Sequence, residues 1–115
     1  MAELSGEAMV LRIYIGDDDA YGDRPLADVI VTEARTRNMA GATAIRGILG
    51  YGLSKHIHRT DLVLSHDLPV VIEIIDSASK IDAFIAVVKP MLGAGLMTRQ
   101  SVSVLHYGAT TSGKP

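Results

Sequence analysis

Apolar and polar positions change period four times along this chain, and each change marks an element. Met9 to Ile15 (M-V-L-R-I-Y-I) is rich in β-branched and aromatic residues and predicts a first strand. An acidic turn region follows, Gly16-Asp17-Asp18-Asp19 and Tyr21-Gly22-Asp23. Pro25 then suits the first turn of a helix, with Asp23 or its neighbour as cap. Leu26, Val29, Ile30 and Ala34 continue at helical spacing until Asn38 and Gly41 close the element.

Ala42 to Leu49 predicts a second strand, in which Gly47 marks a bulge or a close backbone neighbour. Val70 to Ile75 (V-V-I-E-I-I) reads as a central, nearly all-apolar third strand. Asp76, Ser77 and Ser79 offer caps to a second helix whose stripe is Ile81, Phe84, Ile85, Val88 and Leu92, ended or kinked by Pro90. Leu96 to Tyr107 alternates around Ser101–Leu105 and gives a fourth strand. The order βαββαβ makes an α+β, ferredoxin-like sandwich: an antiparallel sheet with both helices on one face. The other face has no helix to cover it, so packing against partners is the natural remedy. Residues 9–107 form this domain, between an N-terminal extension at 1–8 expected to be disordered and a loose Gly/Ser/Thr-rich tail at 108–115.

Composition narrows the reading. The 115 residues hold one domain, and 48% hydrophobic content supports a real core. A net charge of -2 gives no reason to expect nucleic-acid binding, which needs a strongly basic face. No membrane-length apolar run and no basic-then-apolar leader are present, which makes a cytoplasmic protein the expectation. With no Cys, thiolate metal sites and disulfides are excluded. With no Trp and one Phe, the core lacks large anchors, a composition that leans towards self-association.

The candidate chemistry gathers in the connection between the second and third strands, which is long for a compact domain. It carries Lys55, His56, His58 and Arg59. Three readings stay open. Lys55 and Arg59 supply charge for a phosphate, with Arg46 offering a bidentate fork from the strand below. His56 and His58, at i and i+2, could bind a metal with His66 or Asp61 as a third ligand. Otherwise the segment is a solvated loop or a protein contact. The glycine pairs Gly50/Gly52 and Gly93/Gly95 either let backbone N–H groups approach a phosphate or base edge, or simply turn the chain. The acidic run Asp17–Asp19 with Asp23 would repel a phosphate, which directs a nucleotide towards the 46–59 side. Glu73, inside an apolar strand, needs an ion-pair partner, for which Arg46 and Arg99 are candidates. His106 reads as a residue of the last strand, at a sheet edge or interface. Nothing supports a nucleophile: there is no Cys and no G-x-S-x-G elbow.

Several segments taken together resemble the PII (GlnB-type) signalling superfamily, and most closely its PII-like branch filed as a domain of unknown function. They are R-I-Y-I-G at 12–16, R-P-L at 24–26, R-G-I-L-G-Y-G at 46–52, K-H-I-H-R-T-D at 55–61 and L-S-H-D-L-P-V-V-I-E-I-I-D at 64–76. The resemblance implies a ferredoxin-like homotrimer that is not an enzyme. It implies adenine-nucleotide clefts between subunits and a T-loop, here 51–68, presented to a target protein such as a membrane transporter. Gly50, Tyr51 and Gly52 match the G-F-G that opens the T-loop; Gly93 and Gly95 match the glycines of the G-D-G-K turn. That turn reads Gly93-Ala94-Gly95-Leu96 here, and Val70 stands where PII proteins carry a lysine. Two phosphate cations are thus replaced, which favours AMP or ADP over ATP with Mg²⁺, with Arg46, Lys55 or Arg59 substituting. No cofactor is implied. The alternative is a metal-responsive trimer resembling the CutA group, with His56, His58 and His66 as ligands.

Overall fold

The computed structural model describes residues 4, 6–52, 57–59 and 67–108. Among the described residues, eight strands and two helices follow in the order β1 (Gly6–Gly16), β2 (Ala20–Tyr21), β3 (Arg24–Pro25), α1 (Leu26–Thr36), β4 (Gly41–Arg46), β5 (Leu49–Gly50), β6 (His58–Arg59), β7 (Pro69–Asp76), α2 (Ala78–Val88) and β8 (Leu96–Val104), with one 3₁₀ turn at Lys89–Met91. The main sheet has the order β4-β7-β1-β8, all antiparallel, as the βαββαβ reading requires. The short strands form two small ribbons, β2 with β3 and β5 with β6.

Alternation in the two central strands sorts the faces. Leu11, Ile13 and Ile15 of β1 and Val70, Ile72 and Ile74 of β7 are buried. They meet Leu26, Ile30 and Ala34 of α1 and Ile81, Phe84 and Val88 of α2 in one core. The opposite face has no helix. Tyr14, Ile45 and Leu96 are exposed there, as the sequence pattern predicts.

Several boundaries differ from expectation, each for a local reason. β1 starts at Gly6, because Gly6, Glu7 and Ala8 pair with Val104, Ser103 and Val102, and Leu4 is buried as well. Ordered structure therefore reaches into the 1–8 extension. The second strand is cut in two at Gly47, whose N–H donates to the Pro69 carbonyl at 2.6 Å. A Cβ there would lie 2.9 Å from Pro69 Cγ, so the close-neighbour reading of this glycine holds. Asp23 does not cap α1; Pro25 occupies that position without a side-chain bond, and the Leu26 N–H donates to the Asp19 carbonyl at 2.8 Å. Asn38 closes α1 in the left-handed region at φ 60°, while Gly41 opens β4. Ser77 caps α2, its hydroxyl accepting from the Lys80 N–H at 3.4 Å. β8 ends at Val104, so His106 lies beyond the strand, and Tyr107 instead donates its hydroxyl to the Ala40 carbonyl at 2.9 Å.

Candidate functional site

Antiparallel pairing brings the C-terminal ends of β1 and β4 and the starts of β7 and β8 to one end of the sheet. Gly16 lies opposite Pro69, Arg46 opposite Val70, and Tyr14 opposite Leu96. Three predicted features therefore share this end: the acidic turn after β1, the loop stem after β4 and the Gly93–Gly95 turn before β8.

The stem is a paired ribbon. Leu49 and Gly50 pair with Arg59 and His58, which holds the chain ends of the loop together. A Cβ on Gly50 would lie 3.1 Å from Pro69 Cγ, while Gly52 has open space around it. Tyr51 is exposed, as are Ile48, Leu49 and Ile57, so the stem carries apolar surface. Lys55, His56, Asp61 and His66 lie outside the described residues, and His58 and Arg59 are placed through their backbone pairing. Among the described residues, no three His, Cys, Asp or Glu side chains gather to hold a metal ion.

Arg46 occupies a different environment from the expected one. Its Nη2 lies 3.2 Å from Asp17 Oδ1, with both side chains partly exposed. The acidic turn and the stem share one corner rather than lying on separate sides, because β1 and β4 flank β7 and end together. The acids are also structural. Asp19 Oδ2 accepts the Gly16 N–H at 2.9 Å, and Asp67 Oδ1 accepts the Asp18 N–H at 3.2 Å. An exposed pair such as Arg46–Asp17 contributes about 1 kcal/mol or less, so it is readily exchanged. Glu73 is paired neither with Arg46 nor with Arg99: it is half-exposed and joined to Arg12 at 2.9 Å, because Arg12 is its register partner on β1. Arg99 instead faces Asp82 of α2 at 3.5 Å.

At the other edge, a groove of about 410 Å³ opens between the end of α2 and β8. Leu11, Ile85, Leu92 and Met97 give it apolar walls; Gly93 and Gly95 edge it, and Lys89 and Arg99 supply charge. Lys89 has no ion-pair partner among the described residues. The two glycines differ. A Cβ on Gly95 would sit 3.3 Å from the Tyr14 carbonyl oxygen, so close packing explains it, whereas Gly93 is open. Sequence reasoning missed Lys89 and considered Arg99 only as an ion-pair partner for Glu73, not as a residue of this groove. Lys89 precedes the helix-ending Pro90 and so had a positional signal; Arg99 sits in an ordinary alternating strand and had none.

Within one chain these two sets do not meet. Arg46, Gly50, Tyr51 and Gly52 belong to the β4 edge, Gly93 and Gly95 to the β8 edge, with β7 and β1 between them. Three interstrand steps separate the edges by about 14 Å.

A model of the DUF190 family, described as an uncharacterized ACR, matches residues 8–104. A UPF0166 protein of Aquifex aeolicus is 37% identical over 98 residues, covering 84% of this chain and 92% of its own length. A UPF0166 protein of Methanocaldococcus jannaschii is 30% identical over 76 residues, covering 66% and 70%. Among solved structures, CPII, a nitrogen regulatory PII-like protein of Thiomonas intermedia bound to ADP, AMP and bicarbonate, superimposes with a TM-score of 0.66 at 12% identity, over 85% of this chain and 88% of that one. The divalent ion tolerance protein CutA1 of Ehrlichia chaffeensis gives 0.53 at 10% identity, over 96% and 90%. At such identities the structural likeness is one of fold. The sequence matches carry the family assignment: this chain belongs to the DUF190 (UPF0166) family, and it has the ferredoxin-like fold that it shares with CPII.

Proposed function

We propose that the protein is a non-enzymatic, cytoplasmic regulator that works as a trimer. It binds an adenine nucleotide, AMP or ADP in preference to ATP, between subunits and presents the 51–68 loop to a target protein such as a membrane transporter. The observation that carries this reading is the placement of the two half-sites, at the same end of the sheet but on opposite edges. If β4 of one copy lies beside β8 of the next, the loop stem faces the neighbour's Lys89–Gly95 groove. The base then lies against Leu11, Ile85 and Met97, and the phosphates reach Lys89 and the exchangeable Arg46. Tyr51 stands on the same stem, so occupancy of the cleft alters the affinity of the loop for a partner. The fold likeness to CPII, which binds ADP and AMP, supports the choice of ligand.

Calorimetric titration with AMP, ADP, ATP and cyclic dinucleotides tests it. AMP or ADP is expected to bind most tightly, and Arg46→Ala or Lys89→Ala to weaken that binding about tenfold or more, the range for one charge-assisted hydrogen bond. The reading fails if none of these nucleotides binds below the millimolar range.

A further inference from the structure

The groove between α2 and β8 has two ends, and phosphate binding uses only one of them. Asp82, Ile85 and Lys89 recur along one face of α2 and its 3₁₀ extension. Met97 and Arg99 of β8 stand opposite Ile13 and Leu11, two core residues, so they project on the helix-covered side of the sheet. β8 starts at the stem end, with Leu96 opposite Tyr14, and α2 starts at the other, just after Asp76. Lys89 therefore marks the end near Gly93, and Arg99, with Asp82 beside it, the end remote from the stem. Asp82 and Lys89 lie nearly two turns apart, about 10 Å, which is close to the span from the phosphate to the far edge of the base in a purine mononucleotide.

At the remote end Arg99 Nη1 and Asp82 Oδ1 are 3.5 Å apart, with the side chains 46% and 56% exposed. A good charge-assisted hydrogen bond is about 2.7–2.9 Å, so this contact is loose. Among the described residues neither side chain has another partner. The pair thus sets guanidinium donors beside carboxylate acceptors, both with capacity to spare. Adenine presents the complementary edge, an N6 amine donor beside the N7 acceptor. We propose that Asp82 and Arg99 select the base: Asp82 accepts from the N6 amine and Arg99 donates to N7, over a floor of Leu11, Ile85 and Met97. Hypoxanthine carries an oxygen in place of that amine, and its O6 would face the Asp82 carboxylate as one acceptor against another. This rests on the nucleotide reading proposed above and names the residues that choose its purine.

Calorimetric titrations with AMP and with IMP, the hypoxanthine nucleotide, separate the base end from the phosphate end. Wild type is expected to bind AMP about tenfold or more tighter than IMP, a smaller ratio than a fully buried site achieves because the pair is half exposed. Asp82→Asn supplies an amide that turns either its oxygen to N6 or its N–H to O6, so the preference should fall to about threefold or less. Lys89→Ala should weaken AMP and IMP alike and keep the preference. Asp82 and Lys89 are both exposed, so the variants should keep the wild-type fold, which circular-dichroism melts check. An AMP preference unmoved in Asp82→Asn, or absent from wild type, overturns the base assignment and leaves the nucleotide reading standing. An equal loss of preference in Lys89→Ala overturns it as well, since the effect then has no tie to the base end. If wild type binds none of AMP, ADP and ATP, both readings fall.

Discussion

Asp76 is the buried charged residue among the described ones, and replacing it by Ala should be the most damaging single polar change in the fold. Its carboxylate fastens three elements at the end of the sheet remote from the candidate site. Oδ1 accepts the Ser77 N–H at 2.7 Å, at the entrance to α2. Oδ2 accepts the Ala40 N–H at 2.8 Å, at the entrance to β4, and lies 3.4 Å from Lys80 Nζ. Lys80 in turn donates to the Asn38 carbonyl at 2.7 Å, so the turn after α1 is held as well. Two hydrogen bonds to a charged acceptor are worth about 1.5–3 kcal/mol each. Ala40 and Ser77 are only half-buried, so water refills part of what Asp76→Ala removes, and the net loss should be about 2–4 kcal/mol. For a chain of this size, roughly 3–5 °C of melting temperature follows each kcal/mol, giving a fall of about 6–20 °C. Asp76→Asn keeps one acceptor oxygen but turns an amide donor on the other N–H, so it should recover no more than about half of that loss. Urea titrations at one fixed protein concentration measure both variants, since self-association shifts apparent stability by mass action. A midpoint for Asp76→Ala within experimental error of wild type would show that the junction is held by the apolar core instead.

Three further outcomes follow from particular contacts. Gly47→Ala places a Cβ 2.9 Å from Pro69 Cγ and 3.4 Å from the Pro69 carbonyl oxygen, and should cost about 1–3 kcal/mol in a urea melt, with partial relief from Pro69→Ala in the double variant. Phe84→Ala empties the largest fully buried side chain and should cost about 3–5 kcal/mol by the same assay. Tyr107→Phe removes one half-exposed hydrogen bond to the Ala40 carbonyl, so a loss of about 1 kcal/mol or less is expected, read as a small melting shift.

Much of the fold was legible because its signals are local and periodic. The stripe Ile81, Phe84, Ile85, Val88 and the alternation around Val102 each report one face of one element, and the structure buries or exposes them accordingly. What the sequence concealed depends on register. Nothing local to Glu73 reveals that Arg12 stands opposite it, 61 residues away, or that Asp17 reaches Arg46. The start of β1 at Gly6 escaped for the same reason: Gly6–Ala8 has no strand periodicity and is ordered by its partners on β8.

The candidate site is less legible for a deeper reason, which the strand order supplies. In a sheet of order β4-β7-β1-β8, the second and fourth strands of the ferredoxin-like unit are always the two edges, however the loops vary. On the proposed reading, a ligand held by the loop after one and the turn before the other, whose edges lie about 14 Å apart within one chain, is shared between two chains. On the proposed reading each chain then bears only half of the required chemistry: Arg46 with Tyr51 on one side, Lys89 with Arg99 on the other. Neither half amounts to a motif, because neither has to bind anything alone. The arrangement also explains why charge is sparse in each half. Arg46 in the free chain is held by Asp17 and Arg99 by Asp82, so on the proposed reading these two cations, unlike Lys89, are balanced until a neighbour and an anion arrive together. Assembly and ligand binding draw on the same few groups, and the two should therefore strengthen each other: saturating nucleotide should lower the concentration at which the chains associate.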